Sequence, residues 1–326
     1  MARTTPKGGA RVVKRKTRAT QNSVSALTNV VANEAKDLVA SVPADIPSNE
    51  TIPEPTEETL SSVLPLLSYG TWLAADSAVV GAAHLRTSPP KPCQDAALAD
   101  TGKRALAILA DGAGSAAVSH IGATAVVAGV RRLCRTLESD LATALDTESE
   151  PAGLAETIAH RIVAHAKGIL DDLAEMHMRG SEDFRCTLLV WLYGRQRALW
   201  LKVGDGALVA EKNGECQCIG PVGKGEFANQ TCFIGPRLDE SQWAWGEIDA
   251  TQLSGLAAMS DGAAERLVAS DASRVSPAIG KLLRGAAAAQ VGRREIFNLL
   301  AEADFWHGTS GDDKSLALIA RALPPT

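Results

Sequence analysis

Nowhere in its 326 residues does the chain carry an apolar run approaching the roughly 20 residues that a membrane span requires. Positive charge is also in short supply. The 33 Lys and Arg stand against 38 Asp and Glu, a net charge of −5, so no global positive field draws in a nucleic-acid backbone. The basic opening, MARTTPKGGARVVKRKTRA, leads into no apolar segment and does not read as a secretory signal. Six cysteines (Cys93, Cys134, Cys186, Cys216, Cys218 and Cys232) do not make a disulfide framework in a chain this long. Cys134 and Cys186 sit in apolar periodic segments and read as small core residues. Cys216 and Cys218 form a lone C-x-C without the second pair that a zinc site needs, and read as strand packing. A reduced, cytoplasmic compartment is the expectation. Several catalytic signatures are missing: there is no G-x-S-x-G elbow, no G-x-x-x-x-G-K-[ST] phosphate loop and no H-E-x-x-H. The six histidines are scattered, and His160, His165 and His177 share one expected helix at spacings that give no common ligand face.

What the chain does have divides it in two. Residues 1–66 read as a tail, basic over 1–20 and acidic and proline-rich over 43–58, that buries too little apolar surface to offset ordering entropy. Within it Leu27, Val30, Val31, Leu38 and Val39 recur at helical spacing, which predicts at most a short amphipathic helix; the sequence names no partner for it. Residues 67–326 read as one globular domain. Short apolar runs at 78–83, 105–110, 186–193, 198–203, 255–259 and 315–320 predict buried strands. Helical patterns cover 115–145, with Ser115 as N-cap, then 152–177, 275–290 and 293–303. Strands, two helices, strands, two helices and a final strand do not alternate as a doubly wound sheet does. The order predicts an α+β layered β-sandwich of antiparallel sheets flanked by helix pairs.

Three of the apolar runs end in Asp-Gly, at Asp111, Asp205 and Asp261; Asp312 precedes the last strand and Asp95 opens a short one. Singly, each Asp-Gly is a turn signal. Together, five acids at strand ends can be gathered by a sheet along one rim, where they repel unless a cation neutralises them. With oxygen ligands and no converging His or Cys, the fitting ions are Mg²⁺ or Mn²⁺. The Gly112 carbonyl is open to serve as a further ligand.

These residues resemble the protein phosphatase 2C family of metal-dependent serine/threonine phosphatases. The resemblance covers about 69–322 and rests on an ordered series: CQDAALAD (93–100), ILADGAGSAAVSHIGA (108–123), CTLLVW with LWLKVGDGALV (186–209), GEFANQT (225–231), AAMSDGAAE (257–265) and GDDKSLALIA (311–320). The CQDA, DGAGSA and GEFANQT forms are most similar to a bacterial branch. The resemblance implies a β-sandwich flanked by helix pairs and a site of two, possibly three, Mg²⁺ or Mn²⁺ ions. Asp111 would bridge two metals, with the Gly112 carbonyl on one of them and Asp261 and Asp312 on the second. Asp95 would join through water, and Asp205 would share a third, weaker ion with Asp261. Asp111, Asp261 and Asp312 would thus carry catalysis, in which a water between two ions attacks phosphorus in line. The implied partner is a phosphorylated protein, the product of a Ser/Thr kinase.

The chain departs from the family at three points. No arginine stands just before Asp95, leaving Arg86, His84 and Lys91 as candidates for gripping phosphate. Gln94 stands where many members have Glu. Ala113 follows the Asp-Gly where some carry His, so no general acid is assigned. Two other functions share the same residues: a pseudophosphatase that binds phosphoprotein without turnover, and a two-metal phosphohydrolase acting on a small phosphoester.

Overall fold

A computed structural model describes residues 71–149, 151–221 and 231–323. The expected tail and most of the GEFANQT segment lie outside the described residues. Among the described residues, ten strands form two five-stranded antiparallel sheets. The first runs β1 (Trp72–Val79), β10 (Lys314–Arg321), β9 (Leu253–Met259), β6 (Ala207–Lys212), β7 (Glu215–Ile219); the second runs β2 (Asp95–Asp100), β3 (Leu106–Asp111), β4 (Leu188–Tyr193), β5 (Arg197–Val203), β8 (Trp243–Asp249). A short helix α1 (Ala82–Leu85) links β1 to β2. The helices α2 (Ser119–Thr136), α3 (Glu138–Leu145) and α4 (Leu154–His177) follow β3. The helices α5 (Asp261–Leu267), α6 (Pro277–Ala287), α7 (Arg293–Ala301) and α8 (Ala303–Trp306) separate β9 from β10. This is the α+β sandwich with flanking helices that the element order predicts.

The strict two-residue period of a strand explains why the central strands read as unbroken apolar runs. In β3, Leu106, Ile108 and Ala110 pack under α2, α3 and α4, while Ala107 and Leu109 face the other sheet. In β10, Leu316, Leu318 and Ala320 pack under the C-terminal helices, while Ala317 and Ile319 meet the opposite sheet. Both faces are covered, so both sets must be apolar. Trp191 of β4 is fully buried between the sheets, and its Nε1 donates to the Ala257 carbonyl of β9 at 3.1 Å.

Several boundaries differ from the sequence pattern. The apolar run at 78–83 is not one strand: β1 ends at Val79 and α1 begins at Ala82. At Gly81 the chain turns so close to 311–312 that a Cβ would sit 2.4 Å from the Gly311 carbonyl oxygen. The helix expected from Ser115 starts at Ser119, because backbone bonds hold the preceding loop: Ala113 N–H donates to Arg185 and Val118 N–H to Asp183. The Ser115 hydroxyl accepts from Arg185 Nη2 instead of capping. That helix is also broken at Leu137 into α2 and α3. Pro277 at the first turn and the Ser276 hydroxyl, which accepts from Ala278 N–H, start α6 within the expected span. Strands β7 and β8 carry half-buried mixed residues and give no apolar run to read.

Trp191→Phe removes the hydrogen bond to Ala257 across the sheet interface and opens a void. Urea denaturation is expected to show a loss of about 2–3 kcal/mol; an unchanged midpoint would mean that this bond does not tie the sheets.

Candidate metal centre

The acids expected to converge do so through strand register. Asp95, first residue of β2, lies directly opposite Asp111, last residue of β3. Ala97 and Leu109 on the same two strands face the other sheet, so strand alternation turns both aspartates into the gap between sheets, at its open end. The backbone at Asp111 is held on both sides by Thr187, whose hydroxyl accepts from Asp111 N–H at 2.9 Å and whose N–H donates to the Asp111 carbonyl at 2.7 Å. The turn after Asp111 requires glycine. A Cβ at Gly112 would meet the Ser119 side chain at 2.8 Å and the Gln94 carbonyl oxygen at 2.9 Å. Gln94 Nε2 donates to the Ser119 hydroxyl, joining the loop before Asp95 to the start of α2.

The opposite sheet supplies its acids from neighbouring strands. Leu316 of β10 pairs with Met259 of β9, so Asp312, just before β10, and Asp261, at the start of α5 just after β9, lie at the same end of the sheet. Buried Ser260 and Ser315 knit this corner, Ser315 N–H donating to the Ser260 hydroxyl at 2.9 Å. Asp205 sits between β5 and β6, where the chain crosses from one sheet to the other, and accepts from the Thr231 hydroxyl at 2.6 Å.

The electrostatics follow from this crowding. Burial above all, and then the Asp313 charge, push Asp95 up to about 7. Burial and the charges of Asp95 and Asp261 raise Asp111 well above the carboxylate range. Asp261 is pushed up to about 6 by burial, with the charges of Asp205 and Asp312 adding to it. Ser315, Ser260 and Asp111 stand beside the Asp95 carboxylate and act to lower its pKa, yet both of its buried oxygens lack a hydrogen bond of ordinary geometry among the described residues. Unpartnered buried oxygens on mutually repelling carboxylates fit a divalent cation, and hard oxygen donors fit Mg²⁺ or Mn²⁺.

Asp313, which shares the acidic site before the last strand with Asp312, and Lys314 have no role assigned from sequence. Asp313 is 2% exposed; its carboxylate accepts the Gly81 and Gln94 backbone N–H groups and lies 3.0 Å from His84 Nδ1. Parity would have found it, since 313 continues the series 315, 317, 319 that faces the other sheet. Lys314 is fully buried, and its ammonium donates to the Asp312 carbonyl at 3.2 Å. Burial pushes that ammonium down, while the charges of Glu265, Asp312, Asp261 and Asp95 push the other way.

The three phosphate candidates are placed differently from one another. His84 is buried, with Nε2 3.9 Å from Asp312 Oδ1, so that His84, Asp312 and Asp313 form a group able to hold a cation. Lys91 is exposed, and its ammonium donates to the Gly114 carbonyl at 3.3 Å, beside the Asp111 turn. Arg86 is exposed at the C-cap of α1. Of the three, His84 packs against Asp313 in the interior and Lys91 reaches the loop that follows Asp111.

A family model described as protein phosphatase 2C matches residues 80–301. Among solved structures, the serine/threonine phosphatase PstP/Ppp of Mycobacterium tuberculosis aligns with 77% of this chain and 99% of its own, at 16% identity and a TM-score of 0.52. The catalytic domain of the serine threonine protein phosphatase PstP in complex with 2 manganese ions aligns over 77% and 99%, at 15% identity and 0.52. Stp1 of Staphylococcus aureus, a serine/threonine phosphatase, aligns over 77% and 96%, at 17% identity and 0.51. At these identities the likeness is one of fold. No curated protein sequence matches the chain significantly.

Carboxylates whose folded pKa is raised stabilise the fold fully only below their unfolded pKa, near 4, and that contribution is lost as pH rises through about 6 to 7. In chelator, Asp111→Asn is therefore expected to melt above the parent at pH 8 and nearer to it at pH 5. Added Mn²⁺ at pH 8 should raise the parent more than the variant. A melting difference independent of pH would show that the acids do not repel as placed.

Proposed function

The chain belongs to the protein phosphatase 2C family, and on that premise we propose that it removes phosphate from phosphoserine or phosphothreonine in a protein substrate with the help of Mn²⁺ or Mg²⁺. The observation that carries this reading is the meeting of Asp95 and Asp111 from one sheet with Asp261 and Asp312 from the other, at the open end of the gap between the sheets. A neighbouring fold solved with two manganese ions supports the choice of metal.

On this reading Asp111, the Gly112 carbonyl, Asp261 and Asp312 would hold the two principal ions, with Asp95 joining through water, and Asp205 with Asp261 would hold a third. When bound, such ions supply a water acidified to near neutral pH and positive charge against the phosphoryl oxygens. The rest falls to the protein. Thr187 fixes the backbone on which Asp111 stands, and Asp313 fixes the loop that carries Gln94 into Asp95. Lys314 places a fixed positive charge behind Asp312, which offsets part of the repulsion without occupying the site. Thr231 orients the Asp205 carboxylate. The exposed Lys91 is the candidate nearest the Asp111 loop for meeting phosphate, whereas His84 serves the interior. The proposed substrate is one that a Ser/Thr kinase has phosphorylated. Among the described residues no helix is long and apolar enough to cross a membrane.

Hydrolysis of a phosphothreonine peptide is expected only with added Mn²⁺ or Mg²⁺. Asp111→Ala and Asp261→Ala should each reduce turnover at least about a hundredfold. Asp205→Ala should keep the tight ions in Mn²⁺ calorimetry while lowering turnover. Activity that survives chelation would sink the metal-dependent reading, and metal binding without turnover would favour the pseudophosphatase. Hydrolysis of small phosphoesters alone would favour the third function.

The domain boundary is a separate proposal. Removing residues 1–60 should leave the melting temperature and peptide hydrolysis nearly unchanged. A large fall in melting temperature would move the boundary.

A further inference from the structure

Next to the acidic end, an open groove of about 720 Å³ runs along the flank of the sandwich where β1 and β2, the terminal strands of their sheets, lie side by side. The helix α2 forms one wall through Val127, and α7 forms the other through Arg293, Arg294 and Phe297. Three features of this groove point to one kind of occupant.

The first is a backbone edge. Among the described residues β2 pairs only with β3, and the N–H of Ala99 faces outward, donating to the Asp76 carboxylate at 3.2 Å. In an antiparallel strand, alternate residues direct both backbone groups to the same side. The backbone of Ala97 therefore also turns outward, into the groove it lines. An exposed edge of this kind accepts an extended peptide as an added strand.

The second is the side-chain lining. Phe297 is 48% exposed on the wall, an apolar surface with no cover of its own. Arg293 and Arg294 are exposed beside it; Arg293 pairs with Asp76 at 2.9 Å yet its side chain keeps 77% of its surface in solvent. Two guanidinium groups at the rim favour carboxylate side chains over basic ones.

The third is position. Asp95 lines the groove and belongs to the candidate metal centre. Strand residues advance about 3.3 Å each, so a peptide paired at Ala97 reaches the acidic end within two residues.

We propose that this groove docks the extended segment flanking the phosphorylated residue of a protein substrate, pairing it with the edge of β2 and favouring acidic side chains beside Arg293 and Arg294. The proposal rests on the phosphatase reading for its substrate, but docking can be measured without turnover.

The probe is a fluorescent eight-residue peptide carrying a non-hydrolysable phosphonate analogue of phosphoserine, flanked by glutamates or by lysines. It is titrated with the full chain in Mn²⁺ and read by anisotropy. The glutamate peptide is expected to bind about fivefold or more tightly than the lysine peptide. Arg294→Glu should abolish that preference, and Phe297→Ala should weaken both peptides about threefold. Methylating alternate backbone nitrogens of the peptide should weaken it by a similar factor. Equal affinity for the two peptides, or affinities untouched by Arg294→Glu and Phe297→Ala, overturns the proposal. So does a concentration-dependent dimer of the parent chain that Phe297→Ala abolishes, which would give the groove to a second copy. Hydrolysis of a phosphothreonine peptide by the same preparations in Mn²⁺ is scored separately. Its absence, with the glutamate preference intact, refutes the phosphatase reading and leaves the docking groove standing.

Discussion

Like charges brought together out of water repel strongly: two carboxylates 4 Å apart oppose each other by about 4 kcal/mol at the effective dielectric of a protein. At one end of this sandwich Asp95, Asp111 and Asp261 are crowded together, each with its titration pushed upward by burial and by its neighbours. Much of the surrounding structure is arranged to hold them in spite of it. Thr187 bonds the Asp111 backbone on both sides, Gly112 removes the Cβ that would collide with Ser119, and Lys314 brings a buried positive charge to within a hydrogen bond of the Asp312 carbonyl. The Lys314 charge reaches Asp95 as well, but the buried Asp95 oxygens keep no hydrogen bond of ordinary geometry among the described residues.

The second support is Asp313, and it differs in kind from the other acids. Its oxygens are spent on the Gly81 and Gln94 N–H groups and lie against His84, so it serves as an internal brace for the loop between β1 and β2. That loop decides where β2 begins, and β2 begins with Asp95. Two adjacent aspartates therefore have separate work. Asp312 keeps half its side-chain surface in solvent, while Asp313 is sealed inside. A strand turns consecutive residues to opposite sides, so an Asp-Asp pair at its entrance divides naturally into one outward and one inward carboxylate.

This division also marks where sequence was legible and where it was not. Asp111 and Asp261 each end a run that is apolar on both faces, a pattern that places a strand and its terminus with little ambiguity. The β-sandwich with helix pairs followed from the same runs. The role of Asp313 was hidden because its neighbour completes the recognisable motif, and because its partners are backbone groups more than two hundred residues away. The run at 78–83 misled for a related reason: its apolar letters continue past the strand, and only the close approach of 311–312 at Gly81 ends it. Strands β7 and β8 were silent, since an edge strand half in water needs no apolar series. His84 is a candidate for phosphate by sequence, where solvent access matters, yet its ring is buried against Asp313; no local pattern distinguishes the two positions.

The loops that complete the site come from distant parts of the chain, but they share one mechanical base. Thr187 ties β3 to β4, Ser260 ties β9 to β10, and Trp191 ties the two sheets across their interface. A shift of one sheet against the other would separate Asp95 and Asp111 from Asp261 and Asp312, whereas the ladder hydrogen bonds within each sheet hold its own pair in register. The relative position of the sheets is thus the coordinate that governs the site. It is fixed by the packed layer of Ala107, Leu109, Leu189, Trp191, Leu256 and Ile319 rather than by any of the acids. A close-packed layer resists such sliding because every ångström of it opens voids. The acids can therefore remain poorly paired with one another, since the apolar layer, and not their mutual contacts, determines where they stand.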